Sequence, residues 1–530
     1  MLMSTSVSFA NVTWCTPDGD PLFTDLTLSL TGCRTGLVGR NGVGKTTMLK
    51  LITGELRPHA GKVIVHGRVA YLEQVVQEIE GQTVAGLFGV SGDLALLRRA
   101  EAGTAELDEL SDVDWTLEAR ILAALGKVGL DAGPGTLLQE LSGGQRMRAR
   151  IAAVWFAEPD LLLLDEPTNN LDREGRAAVH ALLKEWSHGA IVISHDRELL
   201  ENMDVIVELT SLGARKYGGN WSHYRERKAQ ELEAAQHDLA HAQKRQEEVD
   251  RDAQVAVERK ARRDAAGRRK RAKGGEPPIL LGARKDRAED SAGVGARLAE
   301  RRRSEAAEGL ASARGRLEVI QPFTVVLAPT GLPAGKTVLE VDAVTAGYEP
   351  GQPIVRDVSF SINGPERVAV QGRNGSGKTT LLQVISGKLA PWAGSVRLGV
   401  PFAMLDQQVS LLNPQLSIRD NYRNLNPDSD ENACRSSLAR FRFRADAALQ
   451  TVATLSGGQM LRAGLACVLG GSHPPPLLIL DEPTNSLDLE SIETVEAGLR
   501  GYDGALLVVS HDEAFLQEVG IHRRISLPVS

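Results

Sequence analysis

Hydrophobic and polar positions follow one pattern twice along this chain. Short unbroken apolar runs, of which LLLLD (Leu161–Asp165) and LLILD (Leu477–Asp481) are the clearest, alternate with stretches of helical spacing. Such runs are typical of strands that are buried on both faces of a parallel sheet. A further strand-like run, TVLEVDAVTAGY, opens the second region at Thr337. The pattern predicts an α/β fold with two similar domains, over residues 5–217 and 336–530.

Residues 218–335, between the two regions, have a different pattern. From Ser222 to Lys273 small or apolar residues recur at spacings of three and four, with Gly267 as the main helix breaker. This spacing predicts a helical seam formed by Leu232, Ala235, Leu239, Ala242, Gln246 and Val249. After the break GGEPPILLG (274–282), the spacing returns at Ala299, Arg303, Ala306, Leu310, Ala313 and Leu317. The sequence therefore predicts an antiparallel helical hairpin, about 50 Å long at ~1.5 Å per residue.

Positive charge is concentrated in this hairpin. The chain of 530 residues has a net charge of −7, yet residues 225–316 carry 24 Lys/Arg against 17 Asp/Glu. Near the predicted tip, nine basic residues stand against one acidic residue between Arg259 and Lys273. Such a block suggests a polyanionic partner, and a solvated charged helix or a plain tether is the alternative. Because aromatic residues for stacking are scarce, the segment suits phosphate contacts and RNA shape.

Composition excludes several other classes of protein. No apolar run approaches the roughly 20 residues that a membrane-spanning helix needs. The N-terminal residues lack a basic flank followed by an apolar core, so we expect a cytoplasmic protein without a secretory signal. The cysteines lie far apart without C-x-x-C spacing, which favours reduced thiols over disulfides or metal sites. They are Cys15, Cys33, Cys434 and Cys467.

Two glycine-rich loops carry the same phosphate-binding pattern, G-x-x-x-x-G-K-T. GRNGVGKTT in the first region and GRNGSGKTT in the second each follow a strand-like run and precede a helical pattern. The glycines of such loops let backbone N–H groups turn toward nucleotide phosphates at the positive end of the following helix. Lys45 and Lys378 are predicted to reach the β- and γ-phosphates, and Thr46 and Thr379 to bind Mg²⁺. A chance match or a fold-stabilising turn is the alternative, which the repetition disfavours.

An acidic pair follows each long apolar run, in the motif DEPTN. Neighbouring strand residues point to opposite sides, so the two carboxylates can have different roles. Asp165 and Asp481 are predicted to hold Mg²⁺ through its water shell, and Glu166 and Glu482 to polarise the attacking water. A pair that merely caps a helix is the alternative, and its recurrence at a matching distance favours the catalytic interpretation.

Two more repeated motifs complete the pattern. LSGGQ occurs at 141–145 and 455–459, and VISHD and VVSHD place His195 and His511 after apolar strands. On its own LSGGQ is weak evidence, because a Ser-Gly-Gly turn can be simply a helix N-cap. In their shared order, the four motifs resemble those of the ATP-binding cassette ATPases, over about four fifths of the chain. The resemblance implies two P-loop NTPase cassettes of this type, joined by the helical hairpin.

In that family two cassettes face head to tail and share two ATP sites. The first site would use Lys45, Thr46, Gln74, Asp165, Glu166 and His195, completed by Ser456, Gly457 and Gly458. The second site would use Lys378, Thr379, Gln407, Asp481, Glu482 and His511, completed by Ser142, Gly143 and Gly144. Further loop residues expected to contact nucleotide are Gly39, Asn41, Gly42, Gly44, Thr47, Gly372, Asn374, Gly375, Gly377 and Thr380. Since both glutamates and both signatures are intact, both sites are expected to hydrolyse ATP.

For some of these positions more than one residue fits the family's pattern. Gln74 and Gln407 match the family's Mg²⁺-sensing glutamine, and Gln408 is a nearby alternative. Tyr348 fits the aromatic residue that stacks on adenine, whereas Trp14 in the first half differs in spacing by two residues. Asp172 and Asp488 fall at the family's interface aspartate.

The long basic hairpin narrows the resemblance to the ABC-F subfamily, twin-cassette proteins that bind the ribosome. There the hairpin approaches the P-site tRNA and the peptidyl-transferase centre. The family's arm between glutamine loop and signature is short or absent here, because the first cassette has only about 19 residues more than the second in this interval. Its segment Glu101–Trp115 is also acidic, which argues against an RNA contact.

The resemblance implies a ribosome-associated ATPase that uses ATP and Mg²⁺. It would bind rRNA and P-site tRNA through the hairpin, work as a monomer, and protect against an antibiotic bound near the peptidyl-transferase centre. The alternative is an ATP-hydrolysing motor subunit of an ABC transporter with separate membrane subunits. Such a motor needs no basic hairpin. A DNA-repair ATPase or the ribosome-recycling relative would need cysteine sets that four scattered cysteines cannot supply.

Overall fold

The protein is described by a computed structural model, over residues 5–72, 81–106, 108–169, 171–211, 213–272, 300–312, 327–485 and 487–527. It forms two compact units. One consists of Met1–Ser222 with Phe323–Ser530, and the other is His223–Pro322. Gln74, the break at 274–282 and three positions of the return seam (299, 313 and 317) lie outside the described residues.

The first cassette contains nine strands and seven helices among its described residues. The strands are β1 (Ser6–Cys15), β2 (Pro21–Thr31), β3 (Arg34–Val38), β4 (Ala60–His66), β5 (Val69–Leu72), β6 (Leu161–Asp165), β7 (Gly189–Ile193), β8 (Val205–Thr210) and β9 (Gly213–Gly218). The helices are α1 (Lys45–Thr53), α2 (Val84–Leu87), α3 (Ser91–Glu101), α4 (Leu117–Lys127), α5 (Gly143–Phe156), α6 (Arg173–Glu185) and α7 (Arg197–Leu200). Strands β5-β6-β7-β3-β8-β9 form one sheet and β2-β1-β4 an antiparallel second sheet.

A long helix leaves the first cassette. It is α8 (Trp221–Ala272), 52 residues long, and residues 300–312 form a second helix, α9. From 233 to 250 every position outside the seam is exposed, whereas the seam positions are buried or half-buried, with Ala235 at 6% exposure. In α9, Ala306 is 4% exposed, and Arg303 lies 3.6 Å from Asp250 of α8. The predicted spacing therefore does mark the contacting face of these helices.

The second cassette repeats the architecture of the first. Its strands are β10 (Thr337–Ala346), β11 (Val355–Asn363), β12 (Arg367–Gln371), β13 (Ala393–Leu398), β14 (Phe402–Leu405), β15 (Leu477–Asp481), β16 (Ala505–Val509) and β17 (Arg523–Ser526). Its helices are α10 (Lys378–Ile385), α11 (Ile418–Leu425), α12 (Glu431–Arg440), α13 (Gly457–Leu469), α14 (Leu489–Arg500) and α15 (Glu513–Glu518). Strands β14-β15-β16-β12-β17 form the main sheet, and β11-β10-β13 form an antiparallel one.

The parallel strands are buried as their sequence predicts. Every residue of β6, β7, β15 and β16 is buried, which fits strands that are covered by helices on both faces. The central strands β6, β7 and β3 pair in parallel, as do β15, β16 and β12. Their carboxyl ends therefore meet at one edge of each sheet, where ligands of open α/β folds bind.

The two cassettes differ in the segment between the edge strand, β5 or β14, and the signature motif LSGGQ. Within the described part of this interval the first cassette has three α-helices, α2, α3 and α4, and the second has two, α11 and α12. The additional residues thus form α3 and the turn that follows it, and this turn leads to Trp115, which is 60% exposed. No helix in the described ranges is long and apolar enough to cross a membrane. The predicted domain boundaries at residues 217 and 336 stay predictions.

Candidate nucleotide sites

Each glycine-rich loop joins a central strand to a helix at the carboxyl edge of the sheet. The first loop connects β3 to α1, and the second connects β12 to α10. The acidic pairs end β6 and β15, and the histidines follow β7 and β16. Because β7 lies between β6 and β3, and β16 between β15 and β12, the sheet order brings these motifs together in each cassette.

The lysine of each loop is held by the loop's own backbone. Lys45 Nζ donates to the carbonyl oxygens of Gly39, at 2.6 Å, and Arg40, at 3.1 Å. Lys378 makes the same two contacts in its own loop, at 2.9 and 3.1 Å. Burial lowers the pKa of both lysines, and the nearby carboxylates oppose this effect. Each loop is therefore arranged around a buried ammonium group that suits phosphate binding.

The oxygen atoms that would hold a metal ion lie at the start of the helix and the end of the strand. Thr46 Oγ1 donates to Asp165 Oδ2 at 2.7 Å. In the second cassette burial raises the pKa of Asp481, and a hydrogen bond from Thr379 opposes that rise. The Oδ1 atom of Asp481 is buried without a hydrogen-bond partner among the described residues. Hydroxyl and carboxylate oxygens are the ligands that Mg²⁺ prefers, so these residues fit the ion.

Both predicted catalytic glutamates have an unusual backbone conformation. Glu166 has φ 49° and Glu482 has φ 47°, in the left-handed region that side chains other than glycine rarely adopt. Their N–H groups donate to Ile193 O at 2.9 Å and Val509 O at 2.8 Å, which holds the turns in place. Such strain is commonly found at functional sites, where the surrounding structure maintains it.

A histidine contacts each of these glutamates. His195 Nε2 lies 3.1 Å from Glu166 Oε1, and the backbone N–H of His195 donates to Glu166 Oε2 at 3.3 Å. His511 Nε2 lies 3.4 Å from Glu482 Oε1. Burial raises the pKa of both glutamates and lowers the pKa of both histidines. The environment therefore favours uncharged pairs, and a carboxylate near neutral pH would be a comparatively strong base.

A cavity of about 490 Å³ lies over the first loop. Its lining includes nearly all the residues of the first cassette predicted for this site. The lining residues are Trp14, Thr16, Leu22, Asn41, Gly42, Gly44, Lys45, Thr46, Thr47, Asp165, Glu166, Asn169, Ile193 and His195. This volume is in the range of small-molecule sites, and the lining combines an apolar end with a phosphate-binding end.

The apolar end of this cavity differs between the cassettes. Thr13 and Thr345 accept equivalent hydrogen bonds from aspartate N–H groups, which aligns β1 with β10. In this alignment Thr16 stands where the second cassette has Tyr348, and Trp14 stands two positions earlier. Trp14 nevertheless lines the cavity, whereas Tyr348 is 58% exposed. The spacing difference in the sequence is thus a real difference in the structure.

The signature serines are helix N-caps with reciprocal capping bonds. Ser142 Oγ accepts a hydrogen bond from the backbone N–H of Gln145 at 3.3 Å. Ser456 Oγ accepts the equivalent bond from Gln459, also at 3.3 Å. A hydroxyl that accepts such a bond keeps its hydrogen for another acceptor, so capping and phosphate binding are compatible. A Cβ placed on Gly143 or Gly457 would meet nothing within 4 Å, whereas one on Gly458 would meet Ser491 at 2.5 Å. The first glycine of each signature therefore faces open space.

The two cassettes contact each other through their glycine-rich loops. Arg373 NH2 of the second loop lies 2.7 Å from Glu174 Oε2 of the first cassette. In the reciprocal contact Arg40 NH2 of the first loop donates to Glu490 Oε1 at 2.7 Å. Each glutamate is the second residue of the helix that follows the predicted interface aspartate, so the loop of one cassette faces the same element of the other.

The interface aspartates take part in these contacts. Asp488 Oδ2 accepts from the backbone N–H of Asn41 at 2.8 Å across the interface. It also caps α14, and Asp172 caps α6 in the same manner. Burial lowers the pKa of Lys378, and Asp172 is near enough to the second loop to oppose this effect. Each site thus includes an acidic group from the opposite cassette.

The glutamine assignments are not resolved by the structure. Gln407 and Gln408 both lie in the turn after β14, and both side chains are exposed. Gln74 lies outside the described residues. Their role in Mg²⁺ binding stays a prediction.

Comparisons with known proteins agree with this geometry. A family model described as "ABC transporter" matches residues 24–169 and 355–485. The tylosin resistance ATP-binding protein TlrC of Streptomyces fradiae is 34% identical, over 91% of this chain and 90% of its own length. The energy-dependent translational throttle protein EttA of Mycobacterium tuberculosis is 31% identical, over 94% and 87%. The chain belongs to the ABC-F subfamily of ATP-binding cassette ATPases. The predictions of two such cassettes and of an ATPase are therefore confirmed.

A solved structure shares the fold of this ABC-F protein. It is the complex of an archaeal ribosomal stalk protein with the archaeal ribosome recycling factor aABCE1, with a TM-score of 0.56. The likeness covers 97% of this chain and 87% of that one at 16% sequence identity. At this identity it supports the arrangement of secondary structure alone.

Sequence reasoning missed the apolar support behind each glycine-rich loop of this ABC-F protein. A Cβ on Gly44 would lie 2.6 Å from Phe23 and 2.8 Å from Leu22, and one on Gly377 would lie 2.9 Å from Val355. A side chain at either glycine would push the loop out of place. The repeated pattern D-P-L-F-T-D and Q-P-I-V-R-D carries this signal, because the apolar pair follows a proline in both halves.

Proposed function

We propose that this ABC-F protein is a ribosome-associated ATPase, which binds the ribosome with ATP between its cassettes and leaves after hydrolysis. The observation that carries this proposal is helix α8, which runs for 52 residues and ends in the basic stretch that begins at Arg259. A rigid positive rod suits a folded RNA, whose phosphates dominate its surface. The name of one relative, a translational throttle protein, supports a role in translation, and the name of another refers to tylosin resistance.

At each ATP site the predicted residues have distinct tasks. Lys45 and Lys378 bind the β- and γ-phosphates, and the signature serine and glycines of the opposite cassette contact the γ-phosphate. Glu166 and Glu482 polarise the attacking water. Mg²⁺, held by the loop threonine and the strand-end aspartate, would neutralise charge on the phosphate oxygens. Because signature and loop belong to different cassettes, ATP binding favours the closed pair, and hydrolysis weakens it.

The hairpin tip acts on the P-site tRNA or on rRNA at the peptidyl-transferase centre. This would protect translation from an antibiotic bound nearby, and tylosin is the first compound to test because TlrC is named for it. The segment between β5 and the first signature is acidic around Asp108, Glu109 and Asp114. RNA contact is therefore assigned to the hairpin rather than to this segment.

The rival function is that of a motor for a membrane transporter. A motor subunit would bind membrane partners through its cassettes and would have no use for the basic helix. The relatives named above favour the ribosome.

Co-sedimentation tests the proposal. The double variant Glu166→Gln, Glu482→Gln should bind ATP without hydrolysing it, and should pellet with ribosomes when ATP is present but not with ADP. A Lys45→Ala, Lys378→Ala variant, which should not bind ATP, is the matched control. If the trapped protein stays in the supernatant with ribosomes, or pellets with membranes instead, the ribosomal function is wrong.

A further inference from the structure

A buried ion pair that involves no motif residue joins the two cassettes. Arg197 NH1 of α7 donates to Glu496 Oε1 of α14 at 2.7 Å, and Arg197 NH2 donates to Glu496 Oε2 at 3.2 Å. The side chains are only 8% and 3% exposed. Two parallel bonds of this kind fix the relative orientation of the groups as well as their distance.

Each partner lies on a helix that begins within two residues of a residue of the first ATP site. Arg197 follows His195 by two residues, and Asp196 between them caps α7. Glu496 lies on α14, which begins after Asp488, and Asp488 accepts the hydrogen bond from Asn41. The ion pair therefore links the histidine loop of the first cassette to the helix that supplies an acidic group from the second.

Among the described residues, the second site has no equivalent pair at this place. The motif after β16 reads His-Asp-Glu, so Glu513 stands where the first cassette has Arg197. Its carboxylate contacts Gln371 and Arg524 of its own cassette. On α6, His180 stands where α14 has Glu496, and its Nε2 lies 3.2 Å from Asp196 of its own cassette.

Burial separates this pair from the other contacts between the cassettes. The arginine and glutamate side chains of the Arg373–Glu174 pair are 55% and 60% exposed. Exposed pairs contribute little, whereas removal of one partner from a buried pair leaves an uncompensated charge. Burial raises the pKa of Glu496 and Arg197 opposes that rise, so the glutamate without its arginine would favour its neutral form.

We propose that Arg197 and Glu496 are positioning residues of the first ATP site, which hold its histidine loop against the opposite cassette. The first site then closes around nucleotide more tightly than the second, which lacks the pair. This inference depends on the ATPase activity alone and not on ribosome binding.

Amide hydrogen exchange of the full chain tests the proposal. Segments 189–200 and 505–516 contain the two histidine loops, and both should become protected when the non-hydrolysable analogue AMP-PNP is added with Mg²⁺. In Arg197→Met and Glu496→Gln the exchange rate at the first segment should rise by about tenfold or more, because a buried pair has been broken. The second segment should keep its protection.

The control is Glu174→Gln, which removes an exposed pair between the same cassettes and should leave both segments unchanged. Equal loss at both loops in Arg197→Met would mean that the pair only docks the cassettes, and no loss at either would mean that it has no positioning role. Either result overturns the proposal.

Charge reversal distinguishes positioning from folding. Arg197→Glu combined with Glu496→Arg should restore protection of the first loop, even if one single variant fails to fold. In the Glu482→Gln background, where turnover reports the first site, Arg197→Met should raise KM for ATP and leave kcat nearly unchanged. A folded reversed pair that does not restore protection, or an unchanged KM, contradicts the proposed role.

Discussion

At the scale of single residues, the phosphate end of the site is readable from the sequence and the base end is not. The loop lysines, the strand-end carboxylates and the histidines have fixed spacings within short motifs, so their convergence follows from strand order. Trp14 is different. Its place in the cavity depends on the register of β1 against β2 and on the loop that follows, and neither is fixed by local spacing.

Trp14 gives a direct test at this scale. In a Lys378→Ala background, Trp14→Ala should weaken ATP binding at the first site by about fivefold or more, since base–aromatic stacking contributes about 1–3 kcal/mol. Titration calorimetry measures the change. Trp115→Ala removes an exposed tryptophan elsewhere in the same cassette and should have no effect. Unchanged affinity in Trp14→Ala would assign the adenine contact to other residues.

At the scale of elements, we expect the serine at the helix N-terminus of each signature to have two roles, capping the helix and contacting a phosphate. The serines cap α5 and α13, as Asp430, which belongs to none of the motifs, caps α12. A cap alone accounts for stability and predicts nothing about turnover. The open space at the first signature glycine, together with the hydroxyl hydrogen that capping leaves available, is what a phosphate contact requires.

The two tasks can be separated by substitution. Ser142→Ala, Ser456→Ala and Asp430→Ala should each lower the free energy of unfolding by about 1 kcal/mol, because each loses one cap. Only the two serine variants should lower ATP turnover, by about tenfold or more, because only they lose a donor to the reacting phosphate. Thermal unfolding and steady-state kinetics measure the two effects. Equal turnover in all three variants would leave the signature serines with capping alone.

At this scale the sequence predicts which segments form helices, but it does not predict the contacts between the cassettes. The seam of α8 follows from a spacing that is visible within twenty residues. Arg197 and Glu496 lie 299 residues apart, and their contact depends on how two finished domains dock. Likewise the left-handed conformation of Glu166 depends on a bond to the neighbouring strand, which no local propensity encodes.

At the scale of the whole molecule, charge is separated between the two units. The linker carries a net positive charge while the rest of the chain is strongly acidic. Acidic surfaces repel RNA, so we expect the proposed affinity for a polyanion to come from the basic residues of the linker. This separation also predicts that binding is sensitive to salt.

Neutralising the distal basic residues tests this arrangement. Replacement of Arg268, Arg269, Lys270 and Arg271 by glutamine should weaken ribosome binding and reduce the slope of log affinity against log salt by about 3, at ~0.7–0.9 per lost phosphate contact. The matched control removes the same charge nearer the cassettes, at Arg227, Lys244, Arg245 and Arg251. Ribosome binding measured over a range of salt concentrations distinguishes the two variants. The same slope change in both would indicate general attraction rather than contact by the distal residues.

The left-handed turn at Glu166 and Glu482 has a consequence for how such a protein can change. Glycine adopts this backbone without steric strain, so the least strained chain at these two positions is one that has lost its carboxylates. Selection for heat resistance alone would therefore move the enzyme toward an inert nucleotide binder. Selection for ATP turnover keeps the glutamates at these positions, and it does so at the expense of part of the stability of each domain.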